Sequence, residues 1–197
     1  MARASLGLMA MLATASTVHA QQPAANDWFA IPANAMFETG DSWSDGAKKF
    51  RLYGVQACLR GTYFTNNLGL KRDCGEASLA MLAALIRDFS PRCTKAAAAP
   101  DGQTMAVFCI ASPSRGAGTG ARIDLGTAMI ASGFAFAALT PEGQPVHPPY
   151  LVAQLVAARK NAGLWAFADM PEPNRILLKE LRQLPSPRPQ GIPGDRP

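Results

Sequence analysis

Residues 50–61 read FRLYGVQACLRG, a short alternating segment that runs into a cysteine and ends in a glycine. Phe50 and Leu52 alternate with Arg51 and Tyr53, and this period of two is typical of a β-strand with one buried face. The pattern predicts a strand over residues 48–55 that presents Arg51 on the face opposite the apolar side chains. No acidic residue occurs anywhere in the quoted stretch.

The chain on either side of this strand contains further strand and helix patterns. Asp73, followed by Glu76, predicts a capped helix that ends before Pro91. Asp124 predicts the cap of a second, short helix, and a third helix pattern carries Leu151 and Leu155 on its apolar face. The remaining segments predict one irregular strand at 28–37, a short strand near 42–45, an aperiodic loop at 60–73, and a hairpin at 91–111 with an Asp-Gly turn.

These elements together predict the fold class. About five strands, with one helix after the third strand and two helices near the end, indicate an α+β fold. We expect a five-stranded OB-type β-barrel with about three packed helices.

The two ends of the chain predict processing and export. Residues 1–20 have a basic start, a short apolar run and a small residue at Ala20, which is the pattern of a secretory signal peptide. We expect an exported protein, periplasmic or secreted, without a membrane span in its mature chain. The predicted divisions are a signal peptide at 1–20, a lead-in at 21–35, a domain at 36–168, an extra helix at 169–183 and a disordered proline-rich tail at 184–197.

The charge of the mature chain leaves the partner open. The whole sequence has 19 basic and 14 acidic residues, and the signal peptide removes Arg3, so the mature charge is +4. A mildly basic chain without a dense Lys/Arg block permits a polyanionic partner but does not require one.

Four cysteines in an exported chain predict two disulfides. The helix between Cys74 and Cys93 would hold its ends about 20 Å apart, whereas a disulfide needs Cα atoms within about 7 Å. Four cysteines allow three pairings, and this geometry removes the one that contains Cys74–Cys93 and Cys58–Cys109. Of the two that remain we favour Cys58–Cys74 with Cys93–Cys109, because Cys93 and Cys109 would lie on the neighbouring strands of the predicted hairpin. Zinc is the competing use, but the spacings are not CxxC and the mature chain has one histidine, His147, which we expect to face solvent in a proline-rich loop.

Four stretches, in this order and spacing, resemble the staphylococcal-nuclease (thermonuclease) family over about residues 36–167. They are GDS at 40–42, FRLYGV at 50–55, CGEASLAMLAALI with MAVFCI at 74–86 and 105–110, and DLGTAMIASGFAFA followed by AARKNAGLW at 124–137 and 157–165. The resemblance implies an OB-type fold and a site that cleaves phosphodiesters with calcium.

The resemblance also implies which residues of this chain stand at the catalytic positions. Family members have two calcium-binding aspartates, a catalytic glutamate and two phosphate-binding arginines. Asp41 keeps one metal aspartate and Arg51 keeps the first arginine. Gln56 stands in place of the other aspartate, Leu59 in place of the glutamate, and Gln103 in place of the second arginine.

These replacements predict the loss of most activity. Calcium takes six to eight oxygen ligands, so one aspartate and one neutral amide would hold it weakly. A leucine cannot deprotonate water, and general-base help typically contributes about 10²–10⁴ in rate. Carboxylates that could substitute from elsewhere in the chain are Glu38, Asp45, Asp73, Glu76 and Asp101.

Three functions remain open from the sequence. The first is a non-catalytic binding or accessory protein of the cell envelope, in which Arg51, Tyr53, Lys71 and Arg72 contact a nucleic acid, an acidic polysaccharide or an envelope protein. The alternative is a calcium-dependent nuclease with relocated carboxylates; calcium is the cofactor only in that case. The third is a structural module whose proline-rich tail is a ligand for another protein.

Overall fold

The structure, a computed structural model, describes residues 27–99, 101–111 and 122–183. The predicted signal peptide and the predicted disordered tail lie outside these residues. No helix in the part of the chain that the structure describes is long and apolar enough to cross a membrane.

The described chain is an α+β structure of short strands and four α-helices. The helices are α1 (Cys74–Phe89), α2 (Leu125–Ala131), α3 (Pro148–Arg159) and α4 (Pro173–Gln183), with a 3₁₀ turn at Gly163–Ala166. The strands are β1 (Phe29–Ala30), β2 (Met36–Thr39), β3 (Ser42–Asp45), β4 (Lys48–Leu52), β5 (Val55–Ala57), β6 (Tyr63–Thr65), β7 (Lys71–Asp73), β8 (Arg92–Ala98), β9 (Thr104–Ala111), β10 (Ile123–Asp124) and β11 (Ala135–Ala137).

The main sheet is mixed and curled into a half barrel. Its strand order is β1-β8-β9-β4-β3-β2, with β10 also paired to β9, and β4 and β9 run parallel. The predicted closed, five-stranded barrel is therefore wrong in two respects: the described barrel is not closed, and it contains more and shorter strands. The predicted strand at 28–37 is interrupted because Pro32 starts a turn, in which the Ala35 amide donates to the Pro32 carbonyl at 3.0 Å.

The quoted stretch forms two strands rather than one. Phe50 and Leu52 are buried and Arg51 is exposed, as the alternation predicted. The strand stops after Leu52, because Gly54 adopts a positive φ of 69° and turns the chain. After the turn, β5 pairs with β11, away from the main sheet.

The three predicted helices form as α1, α2 and α3, and the predicted extra helix at 169–183 forms as α4. The Asp73 carboxylate accepts a hydrogen bond from the Glu76 amide at 3.0 Å at the start of α1, and Asp124 caps α2 in the same way. Leu155 on α3 is exposed although the pattern placed it on the same apolar face as Leu151, which packs against the core. The count is four rather than three because the extra amphipathic segment forms α4.

The predicted loop at 60–73 is partly wrong, since it contains the β6–β7 hairpin. Phe64 of this hairpin is buried and its ring stacks on Phe167 at 4.6 Å between centroids. Tertiary packing of this kind can hold a strand whose own sequence shows no clear alternation.

Both favoured disulfides are present, Cys58–Cys74 and Cys93–Cys109. Cys93 and Cys109 are direct register partners on β8 and β9, as the hairpin prediction required. Cys58–Cys74 joins the segment after β5 to the first residue of α1.

Among the glycines in turns, Gly133 at the end of α2 is the one at which we expect an alanine to lower the free energy of unfolding most. Its φ is +78°, and a Cβ there would collide with the backbone carbonyl of Ala162. We expect Gly133→Ala to lower the free energy of unfolding by about 3 kcal/mol or more, because a backbone clash adds to the left-handed conformation.

Gly143→Ala is the matched control for this prediction. Gly143 has a similar φ of +83°, but a Cβ there would meet no atom within 4 Å. This variant should therefore lose only about 1–2 kcal/mol. Urea denaturation of both variants measures the difference, and equal losses would contradict the role of the Ala162 contact.

Candidate functional site

A cleft of about 330 Å³ opens beside the β2–β3 corner. It is lined by that corner, by one face of β4, by the segment that follows β5, and by the start of β9. Among the described residues, five charged side chains line it: Glu38, Asp41, Lys49, Arg51 and Arg60. Two of the sequence-predicted site residues, Asp41 and Arg51, thus lie together.

Asp41 is held at the corner between β2 and β3 by its own main chain. Its carbonyl accepts a hydrogen bond from the Leu52 amide at 2.8 Å, and Ser42, the next residue, is the register partner of Arg51. This pairing brings the Asp41 side chain to the exposed face of β4. The residue is 3% exposed.

Every oxygen of the Asp41 carboxylate accepts hydrogen bonds from the protein. Thr39 Oγ1 donates to Oδ1. Oδ2 accepts from Arg51 Nε at 2.9 Å and from the Ala57 amide at 3.3 Å, and Arg51 Nη2 lies 2.9 Å from it in an ion pair. A carboxylate offers about four acceptor positions, two on each oxygen, so Oδ2 is fully engaged by these contacts whereas Oδ1 accepts one side-chain hydrogen bond, from Thr39.

Arg51 is shared between Asp41 and Gln56. Its Nη2 also donates to Gln56 Oε1 at 2.9 Å, and Gln56 Nε2 donates to the Ala57 carbonyl at 2.9 Å. Gln56 therefore stands where the resemblance implies a metal carboxylate, and it serves as a hydrogen-bonding partner of the arginine. Half of the Arg51 side chain stays accessible from the cleft.

This arrangement leaves few free oxygen ligands for a metal ion. A calcium ion at Asp41 Oδ2 would compete with the Arg51 guanidinium for that oxygen, and Oδ1 already accepts from Thr39. Among residues 27–99, 101–111 and 122–183, no group of three or more His, Cys, Asp or Glu side chains is arranged to hold a metal.

The other two replaced positions have different surroundings. Leu59 lines the cleft. Gln103 lies in the β8–β9 turn, where its amide donates to Asp101 Oδ1 at 2.9 Å, and it is not among the residues that line the cleft.

Of the five carboxylates considered as substitutes, Glu38 is the one that lines the cleft. Asp73 is occupied as the cap of α1, and Glu76 lies 3.3 Å from Arg60 in an ion pair. Asp101 accepts from Thr104, and Asp45 is the register partner of Lys48 at the β3–β4 turn.

The predicted binding residues Tyr53, Lys71 and Arg72 do not line this cleft. Tyr53 lies after β4 with its ring 5.0 Å from that of Phe108. Lys71 and Arg72 are exposed on β7 of the separate two-stranded hairpin. Arg51 alone of the four contributes to the cleft.

Sequence reasoning missed Lys49 and Arg60 as cleft residues. The signal for Lys49 was available, because it precedes Arg51 by two positions and shares its face of β4. Arg60 gave no such signal. Its position follows from the turn after Cys58 and from the contact of its backbone with Gly75 of α1, where a Cβ would lie 2.6 Å from the Arg60 nitrogen.

His147 is half-buried rather than solvent-facing. It precedes α3, and its ring lies against those of Tyr150 and Phe108 at 4.4 and 5.6 Å. The Tyr150 hydroxyl donates to Asp124 at 2.7 Å. Burial, together with the negative charge of Asp124, raises the pKa of Tyr150 far above its usual value. This cluster joins α3 to the cap of α2.

No protein-family model matches the chain, and no curated protein matches it either. A function is therefore assigned from the geometry of the cleft and from the residues that line it.

Proposed function

We propose that this chain is an exported, non-catalytic relative of the staphylococcal nucleases, and that its cleft binds an anionic ligand in the cell envelope. Two features of the sheet support the OB-type fold. β4 and β9 pair in parallel, and the two ends of the strand order, β1 and β2, both belong to residues 29–39. An OB barrel with an interrupted first strand would have this order.

The observation that carries the proposal is the paired state of Asp41. Its carboxylate, at the position of a metal ligand, is occupied by Arg51, Thr39 and the Ala57 amide. A buried carboxylate held by an arginine is a stable structural unit, and removing one partner leaves the other unsatisfied. Leu59, which lines the cleft at the position that the resemblance gives to the catalytic glutamate, cannot act as a base.

The location and charge of the cleft support binding. OB-folds bind oligonucleotides and oligosaccharides on the face of their second and third strands, which correspond here to β3 and β4. Lys49, Arg51 and Arg60 supply the cations. Phe50 is the aromatic residue among the described cleft residues and it is buried, so the stacking surface that single-stranded nucleic acids use is lacking there. The cleft therefore favours an acidic polysaccharide.

We expect the mature chain not to cleave single-stranded DNA. The rate of DNA loss should equal the background rate both with calcium and with a chelator. The reason is the missing base and the occupied Asp41. The measurement uses residues 21–197, folded under oxidising conditions and checked for folding by circular dichroism, beside Arg51→Ala. Chelator-sensitive cleavage that Arg51→Ala abolishes would instead establish the alternative, a calcium-dependent nuclease in which Glu38 supplies a relocated carboxylate.

Binding of polygalacturonate, a linear acidic polysaccharide, is expected to weaken about two- to fivefold in Lys49→Ala, as for one exposed ion pair. Lys48→Ala is the matched control, because Lys48 is the neighbouring exposed lysine but does not line the cleft. Calorimetry at low salt measures both. Equal losses in the two variants, or tighter binding of single-stranded DNA than of the polysaccharide, would contradict the ligand class.

A further inference from the structure

The β6–β7 hairpin carries apolar side chains that are exposed. Leu68 at its turn is 80% exposed, Leu70 is 49% exposed, and Tyr63 on β6 is 54% exposed. Lys71 and Arg72, also exposed, follow directly on β7. These five residues are called the hairpin surface. Single exposed leucines are common, but an exposed apolar cluster beside basic residues marks an interaction site.

The turn that presents the two leucines is tightly organised. Asn66 Oδ1 accepts hydrogen bonds from the Leu68 and Leu70 amides, both at 3.0 Å. The Asn66 amide donates to the Leu70 carbonyl at 2.9 Å, and Gly69 adopts a φ of +73°. Because the backbone is held in this way, the leucines are displayed in one arrangement, and little ordering is required when they are covered.

The base of the hairpin is anchored to the rest of the protein. The Asp169 carboxylate accepts from the Thr65 amide at 3.0 Å and from Thr65 Oγ1 at 2.7 Å. The hydrogen bonds from Thr65, with the nearby charge of Lys71, hold the pKa of Asp169 below its usual range, so it is ionised at neutral pH. Phe64 packs on Phe167 beneath the strands.

The order of apolar and basic side chains along the hairpin matches the order of layers at a membrane surface, with apolar groups deepest and cations at the level of the lipid headgroups. The leucines lie at the turn, and Lys71 and Arg72 come one and two residues behind Leu70. A strand rises about 3.3 Å per residue, so the cations lie roughly 3–7 Å behind the apolar tip. Interfacial segments bury apolar groups about 5–10 Å deep, with basic and aromatic residues at the level of the headgroups.

We propose that the hairpin surface docks on an anionic phospholipid bilayer, with Leu68 and Leu70 entering the headgroup–acyl boundary and Lys71 and Arg72 binding lipid phosphates. A protein partner would not require basic residues on the strands directly behind the apolar turn. The Asp169 carboxylate feels the charge of Lys71 and offsets part of it, so Arg72 is the stronger electrostatic contact. This role is separate from that of the cleft, which shares no residue with the hairpin surface.

Vesicle flotation tests the proposal with residues 21–197 in oxidised form. The vesicles contain phosphatidylglycerol mixed with phosphatidylcholine, or phosphatidylcholine alone. We expect binding to the anionic vesicles only, weakened by raising the salt concentration. Leu68→Ser with Leu70→Ser should lower the partition coefficient by about tenfold or more, and Lys71→Gln with Arg72→Gln by about twentyfold.

Leu155→Ser is the matched control for the apolar contact. Leu155 on α3 is also 49% exposed, the same as Leu70, but it does not belong to the hairpin surface. We expect Leu155→Ser to bind as the parent does and Leu70→Ser to bind more weakly. Circular dichroism of each variant separates loss of binding from loss of folding.

A gain-of-signal variant completes the test. Leu68→Trp should keep its affinity, because tryptophan favours membrane interfaces, and its added emission should shift to the blue with anionic vesicles. Binding that depends on the two cations but not on the leucines would overturn insertion. A dimer in sedimentation that dissociates in Leu68→Ser, without vesicle binding, would assign the surface to a second copy of the chain.

Discussion

Gln56→Asp combined with Leu59→Glu is expected to give the chain calcium-dependent cleavage of single-stranded DNA. In the part of the chain that the structure describes, three cations and two carboxylates line the cleft. Two additional carboxylates reverse that balance and provide calcium with oxygen ligands. The Arg51 guanidinium already bonds to position 56, so a carboxylate there would compete with Asp41 for it and leave an Asp41 oxygen free.

The expected rate increase over the parent is about 10²–10⁴, the usual contribution of a general base. Gln56→Asn with Leu59→Gln is the matched control, because it changes the same positions without adding charge. Cleavage is measured with calcium and with a chelator. An acidic variant that binds calcium but does not cleave DNA would contradict the proposed relation to the nucleases. The carboxylates would then be back in place, and the reaction would still not occur.

Reduction of both disulfides is expected to lower the free energy of unfolding by about 6 kcal/mol. Each bridge spans a sequence separation of 16 residues. A loop of about 15 residues corresponds to roughly 3 kcal/mol in the chain-entropy model. Domains of this size have total stabilities of about 5–15 kcal/mol, so the reduced chain should be largely unfolded in mild urea.

Urea denaturation followed by circular dichroism, with and without reductant, measures this loss, and mass spectrometry counts two protons gained per bridge. Cys58→Ala with Cys74→Ala, and Cys93→Ala with Cys109→Ala, separate the two contributions. Because the two loops do not overlap, the losses should be close to additive. A reduced chain with the midpoint of the oxidised one would show that the core alone maintains the fold.

Local sequence signals predicted the elements that depend on neighbours in the chain. The cap of α1 at Asp73, the cap of α2 at Asp124 and the Cys93–Cys109 hairpin all appear as expected. Capping bonds and tight hairpins join residues only a few positions apart, so the residue types alone specify them.

Elements that depend on distant contacts were predicted less well. The strand over 48–55 breaks at Gly54, where the turn leads β5 to pair with β11, about eighty residues further along the chain. The β6–β7 hairpin was read as a loop, because its buried residue, Phe64, packs on Phe167 from another part of the chain. Leu155 was placed on an apolar face with Leu151, but Leu151 packs against the core whereas Leu155 is 49% exposed.

The same division applies to the candidate site. The sequence by itself determined that Arg51 lies on the exposed face of a strand, that Gln56 and Leu59 carry no acid, and that a helix keeps Cys74 apart from Cys93. The structure then decided between the two remaining cysteine pairings. Only the tertiary structure decided that Arg51 and Asp41 form an ion pair and that Lys49 and Arg60 share their cleft. Whether a carboxylate is free for a metal or occupied by an arginine depends on distances of about 3 Å between residues on different strands, and those distances are set by the register and curl of the sheet.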